Sequence, residues 1–421
     1  MKVLIQRVRI TDPGSPFNES TKDILIDSGI IREIADDIPE SADQVINIPG
    51  LCISPGWVDI FANFCDPGYE FKETIETGSA AAANGGITDV FVIPNTKPVI
   101  DSKSLVEYIR NRSNGHPTNI YPIGAVTKNA EGKDLAEMYD MHAAGAVAFS
   151  DGLNTIQSAG VLVKALQYVK AINGVIIQIP DDKSLGTHGL MNEGIVSTRL
   201  GLSGKPMMAE ELLVARDIKL ARYTDSRLHI TGVTSPKSLE YIRRAKQGGI
   251  DVTCSVTPYH LCFSDEDLES YDTNLKVFPP LRGKHDIEAI KEAVMDGTVD
   301  CISSHHMPHE YDSKVVEFEY AKYGMTGVET TFLVLKKELP LITNDRLVQL
   351  LSLNARRIFG LPGCTIDKNV NASLTLYTSD GESEINSDFF KSRSRNNPFI
   401  GHTLKGVVFG IINRNQVFLK K

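Results

Sequence analysis

The sequence predicts an α/β protein: a (β/α)8 TIM-type barrel flanked by a small composite β-sandwich built from both chain ends. Three observations predict it. Eight apolar runs, most of them separated by helical patterns, fill the centre of the 421-residue chain. The runs are nearly continuous in apolar residues, as strands of a parallel sheet buried on both faces must be. The two chain ends instead alternate apolar and polar residues over short stretches, the pattern of half-buried strands. Eight strand-helix units fit a closed barrel better than an open sheet.

The elements follow in order. "KVLIQRVRITD" and "STKDILIDSGIIREIADDI" are strand patterns broken by Pro-Gly and Ser-Gly turns. The eight runs are "LCISPGWVDIF", "GITDVFVIPN", "NIYPIGAV", "GAVAFSD", "GVIIQIP", "SRLHITGV", "GIDVTCSVT" and "VDCISSHH". Between them, "KETIETGSAAAANG" is Ala-rich and stops on Gly. "AEELLVARDIKLARYTD" has apolar residues at helical spacing. "SPKSLEYIRRAKQGG" opens on a capping Ser-Pro and closes on Gly-Gly. "NASLTLYT" and "LKGVVFGIINRNQVFLK" return to strands. The expected division is residues 1–54 with 362–421 as the composite β-domain and 55–361 as the barrel.

The net charge of -9 argues against nucleic acid or an anionic membrane surface as a partner. "MKVLIQRVRI" lacks the apolar core and cleavage signature of a signal peptide, and no apolar run approaches the ~20 residues of a membrane span. The six cysteines form no Cys-x-x-Cys pair and read as reduced thiols, so the expected location is cytoplasmic. The only tryptophan, Trp57, has apolar neighbours and reads as core.

Active sites of such barrels lie at the C-terminal ends of the strands. The first run ends at Phe61 and Asn63, alternate positions pointing the same way. The second ends at Asn95, the fourth at Ser150 and Asp151, the fifth at Ile179. The sixth runs through His229 to Gly232, and the eighth ends at His305, His306 and His309. A metal needs three or four N, O or S donors converging on one point. Asp151 with the last three histidines is the only such cluster to be assembled. Adjacent His305 and His306 point opposite ways if the strand continues, which works against a joint site.

The chain resembles the dihydroorotases of the cyclic-amidohydrolase superfamily. The resemblance runs through "PGWVD", "DPGYEFKETIETGSAAAANGGIT", "PNTKP", "MNEGIVSTRLGLSGKP", "AEELLVARD", "VTPYHL", "DTNLKVFPPLR", "YGMTGVET" and "NNPFIGHTLKGVV", and covers nearly the whole chain. It implies the barrel with its composite sandwich. It also implies zinc-dependent interconversion of dihydroorotate and carbamoyl aspartate in pyrimidine synthesis.

The residues this chemistry requires are replaced. In the family motif Asp-x-His-x-His-x-Arg, Asp59 matches. The two histidine ligands correspond to Phe61 and Asn63, and the substrate-binding arginine to Cys65. The fifth-strand ligand corresponds to Ile179 and the sixth-strand ligand to Gly232; His229 matches the neighbouring non-ligand histidine. The catalytic aspartate corresponds to His305, and a substrate-contacting asparagine to Phe278. Asp151 is the sole retained ligand, and the acid that usually follows it is Gly152. Asn95 and His309 match substrate-pocket residues.

Without zinc there is no Lewis acid and no activated water, and without the aspartate no proton carrier. Without the arginine the substrate carboxylate lacks its bidentate clamp. The reading favoured is a non-catalytic structural or regulatory member of the family with no cofactor. Aspartate carbamoyltransferase and a second copy of the chain are its candidate partners. One alternative is a hydrolase on a cyclic amide with zinc in a site rebuilt around Asp151, His305 and His309. Another is a small-ligand binder using the old pocket.

Overall fold

The eight central runs become the eight strands of a parallel barrel in the computed structural model, which describes residues 1–420. They are β1 (Trp57–Ala62), β2 (Ile87–Val92), β3 (Asn119–Gly124), β4 (Ala148–Phe149), β5 (Val175–Gln178), β6 (Arg227–Thr231), β7 (Val252–Val256) and β8 (Cys301–Ile302). Each pairs in parallel with the next. The ring closes just past the strand ends, where Ala62 and His306 form a parallel bridge and the Asn63 amide donates to the His306 carbonyl at 2.9 Å.

A buried carboxylate secures this closure. Asp59, on β1, accepts from the Ser303 hydroxyl at 3.2 Å, the Ser304 amide at 3.0 Å and the Ser304 hydroxyl, all just beyond β8. Burial pushes the Asp59 carboxyl up and these donors pull it back.

The helices start and stop where local chemistry allows. Ile75–Asn84 begins at Thr74, whose hydroxyl accepts from the Thr77 amide in a capping box, and ends at Gly85. Its Ala81, Ala82 and Ala83 are fully buried, small enough to bring the helix close to the barrel wall. Pro236–Gln247 has Ser235 as N-cap, proline in its first turn and Gly248 as C-cap. Met208–Thr224 fills the corresponding place before β6.

Both chain ends contribute to one eight-stranded sheet. Cys52–Pro55 joins them: it pairs in parallel with Lys2–Ile10 and antiparallel with Ser373–Glu384. One face of this sheet packs an isoleucine-rich core including Ile5, Ile24, Ile26, Ile53 and Ile412. The join to the barrel is aromatic. Trp57, buried as expected, lies 5.0 Å from the Phe332 ring and 5.3 Å from that of Tyr377, and its indole N–H donates to Ser54. All six cysteines are free thiols. No helix among the described residues is long and apolar enough to cross a membrane.

Replacing Asp59 with alanine removes the closure and strands the Ser304 donors. The expected cost is about 3 kcal/mol in chemical denaturation, against about 1 kcal/mol for Ser303→Ala, which loses one neutral bond.

Candidate functional site at the barrel mouth

At the C-terminal ends of the strands, the side chains singled out in the sequence are taken up in local packing or hydrogen bonds. Phe61 and Ile179 are fully buried and share one apolar cluster with Val58, Phe91, Ile93 and Ile177. Asn63 turns its carboxamide back on the chain, and its Oδ1 accepts from the Cys65 amide at 2.9 Å. That bond stabilises the turn in which Cys65 has φ 59°. The Cys65 side chain is buried, which pushes its thiol well above the ordinary range. It is held as an inert thiol, with no thiolate character.

His305 is the centre of the arrangement. Its ring lies 4.6 Å from that of Phe61, and its Nε2 is 2.8 Å from the Thr231 hydroxyl. Thr231 accepts from Ser255 at 2.7 Å, Ser255 lies 3.0 Å from His229 Nε2, and His229 Nδ1 is 2.8 Å from the Thr253 hydroxyl. One hydroxyl proton per residue orients the chain. Ser255 donates to Thr231, so Thr231 donates to His305 Nε2. His229 then donates from Nε2 to Ser255 and accepts at Nδ1 from Thr253. Both imidazoles are neutral in this scheme. Burial agrees, lowering each from the ordinary value to about 3.

Gly232 makes room for this histidine. It has φ 71°, and a Cβ built on it would come within 2.9 Å of His305 Cε1 and 3.1 Å of Pro279 Cδ. A histidine at 232 and the His305 ring therefore compete for one space. Gly152 is constrained in the same way: with φ 61°, its Cβ would sit 1.7 Å from Asn95 Oδ1. Asn95 ties the rim together, donating to the Asp151 carbonyl and accepting from the Leu153 amide at 3.0 Å.

Asp151 faces another loop. Its Oδ1 accepts from the Thr127 amide at 2.9 Å and its Oδ2 from the Thr127 hydroxyl. His306 points away from His305, towards buried Glu73 at 3.4 Å and the Phe64 ring. His309 Nε2 donates to the Tyr323 carbonyl at 2.9 Å while Lys72 approaches its Nδ1. Asp151, His305 and His309 thus belong to three separate networks, contrary to the rebuilt site weighed for them. Among the described residues, no three His, Cys, Asp or Glu side chains gather closely enough to hold a metal ion. An apolar pair, a glycine and a carboxylate already saturated by a threonine are not a donor set for zinc.

Sequence reasoning missed the polar interior. Thr231, Ser255 and Thr253 are ordinary strand residues by pattern, and only the parallel register places them beside the histidines. The link from His306 to Glu73 crosses 233 residues of chain.

The parallel eight-stranded barrel and the composite sheet beside it define a TIM-type barrel protein with an appended β-domain. Solved structures agree on the fold. The L-hydantoinase (dihydropyrimidinase) of Arthrobacter aurescens superposes with a TM-score of 0.86 at 23% identity, covering 100% of this chain and 96% of that one. The dihydropyrimidinase of Brevibacillus agri gives 0.84 at 19% identity, covering 100% and 95%. A dihydro-orotase-like family model matches residues 50–238. Proteins named dihydroorotase are similar throughout: that of Pelotomaculum thermopropionicum is 40% identical over 100% of this chain and 99% of its own, and that of Syntrophus aciditrophicus 39% over 99% of each. The chain belongs to the dihydroorotase family.

Two expected outcomes follow from the packing. Gly232→His drives a side chain into the His305 ring and costs about 3 kcal/mol in chemical denaturation, and Gly232→His with His305→Asp recovers part of it. Histidines buried neutral bind fewer protons than they do unfolded, so their contribution is full above about pH 6.5 and is lost as pH falls towards 3. Each contributes a slope of about 1.4 kcal/mol per pH unit in that window. His305→Asn flattens the measured stability-pH curve there by about one proton.

Proposed function

We propose that this chain is a non-catalytic member of the dihydroorotase family, serving pyrimidine synthesis as a structural or regulatory partner. One observation carries the reading. The replacements at Phe61, Ile179, Gly232 and His305 fit one another, with Phe61 on the His305 ring and His305 in the space above Gly232. The mouth is plugged by mutually packed groups where the family chemistry needs an open, charged centre. A buried neutral imidazole at 305, hydrogen-bonded to Thr231, is a poor substitute for a carboxylate that shuttles protons near neutral pH.

The partner we propose is aspartate carbamoyltransferase, on the resemblance alone. The relatives' name favours a second reading, a hydrolase opening a cyclic amide. Its difficulty is chemical. The donors that remain, Asp151, His305 and His309, are each committed elsewhere.

Purified chain supplied with zinc should show no turnover of dihydroorotate or carbamoyl aspartate above background, and sub-stoichiometric zinc by elemental analysis. Turnover that disappears with a chelator and in a His305→Ala variant would establish the second reading. Co-expression with aspartate carbamoyltransferase should yield a complex that survives size exclusion; separate elution removes the proposed partner.

A further inference from the structure

The cavity beside the plug, where Lys183 and the Asp181–Lys205 ion pair stand, belongs to the mouth already described. A separate cleft of about 300 Å³ lies at the opposite end of the barrel, at the start of β3. One wall is the end of the helix Lys103–Arg112, the loop that follows it and the first residues of β3. The other is the tip of the hairpin that joins Thr403–Asn413 to Gln416–Leu419 in the composite sheet. The hairpin is tied to the barrel: Asn413 Nδ2 donates to the Pro117 carbonyl at 3.0 Å and to the Thr88 carbonyl at 3.3 Å. The cleft therefore has its shape before anything enters.

In a chain of net charge -9, the lining of this cleft carries Arg110, Arg414 and His116 and no acid. Arg110 is half-buried and held in place. Its guanidinium lies 5.2 Å from the centre of the Tyr121 ring, and its Nη1 donates to the Ile120 carbonyl at 3.2 Å. Acids nearby are engaged elsewhere. Arg112 pairs with Glu76 at 2.7 Å and with Asp66 at 3.9 Å. Asp89, in a smaller adjoining cleft, is neutralised by Arg356 at 2.6 Å and accepts from Asn119 at 2.9 Å. Arg414, at the hairpin tip, is anchored by its backbone: its amide donates to the Ala372 carbonyl at 2.6 Å while the residue stays exposed. Much of the remaining lining is amide, from Asn114, Asn415 and Gln416. Tyr121 is the aromatic residue of the wall, and Arg110 already lies over its ring.

We propose that this cleft binds a small phosphate ester, a dianionic phosphate on a hydroxylated body, with the phosphate between Arg110 and Arg414. Guanidinium forks suit the oxygens of a phosphate, and the two positive charges match its two negative ones. The amides suit hydroxyl groups, which both donate and accept. An aromatic body would find no free flat face to stack on. These residues lie at the opposite end of the barrel from every position that the family chemistry assigns to substrate or metal, and the inference stands whichever reading of the mouth holds.

The test is isothermal titration of the full chain with ribose 5-phosphate, ribose and inorganic phosphate at fixed low salt. Ribose 5-phosphate should bind once per chain. Inorganic phosphate should bind about 10-fold more weakly, for want of the contacts to the body, and ribose not measurably. Arg414→Gln should weaken ribose 5-phosphate by about 10-fold, and Arg110→Gln by at least as much. Arg110→Gln also loses the bond to the Ile120 carbonyl, so if it fails to fold, exposed Arg414→Gln decides. Lys183→Gln, at the far end of the barrel, should leave binding unchanged. The proposal is overturned by ribose or inorganic phosphate binding as tightly as ribose 5-phosphate, by no saturable binding, or by binding indifferent to Arg414→Gln. It is equally overturned by binding lost in Lys183→Gln, which would put the ligand in the mouth.

Discussion

The buried carboxylate of Asp59 is the constraint on which the barrel mouth depends. A barrel of parallel strands has one seam where the last strand must find the first. Here β8 is only two residues long, too short to hold that seam by ladder bonds alone. Asp59 supplies the missing bonds by gripping Ser303 and Ser304 from β1. The chain leaving this grip turns sharply, with His305 at φ 43°, and the turn brings its ring over Phe61 and Gly232. His306, next along, swings outward to Glu73 and bridges to Ala62.

What fills the barrel interior is part polar and part apolar, side by side. The polar part is the run of hydroxyls and imidazoles from Thr253 to His305, paired along its length without a formal charge and ending in a buried His305 Nδ1 that has no hydrogen-bond partner. In a low-dielectric interior the paired members strengthen one another, while the unpaired Nδ1 carries its desolvation cost. The apolar part is the cluster that includes Phe61 and Ile179. Between them they leave no charged centre. To one side stand Lys183 and the Asp181–Lys205 ion pair.

The architecture was legible in the sequence because barrel strands buried on both faces announce themselves as apolar runs, and all eight runs became strands. Helices with strong caps, such as Pro236–Gln247, were legible for a similar local reason. Where the strands end was legible too, because each apolar run stops there. The partners of those positions were not. That Asp151 is taken up by Thr127, or His305 by Thr231, depends on inter-strand register and on residues 24 and 74 positions away in sequence. The cavity beside the plug was invisible for the same reason. Asp181 and Lys205 lie 24 residues apart in different segments, and nothing in the pattern of either marks it as half of a buried pair.

Gly232 gives the mouth a direction in evolutionary time. With a side chain at 232, His305 could not lie where it does; with His305 in place, 232 has no room for one. Gly152 and Asn95 stand in the same relation at the rim. On the non-catalytic reading, a return to the family's chemistry has to revise both members of each pair together, because a side chain added at either glycine meets its partner's first. The two pairs thus work as a ratchet against single substitutions.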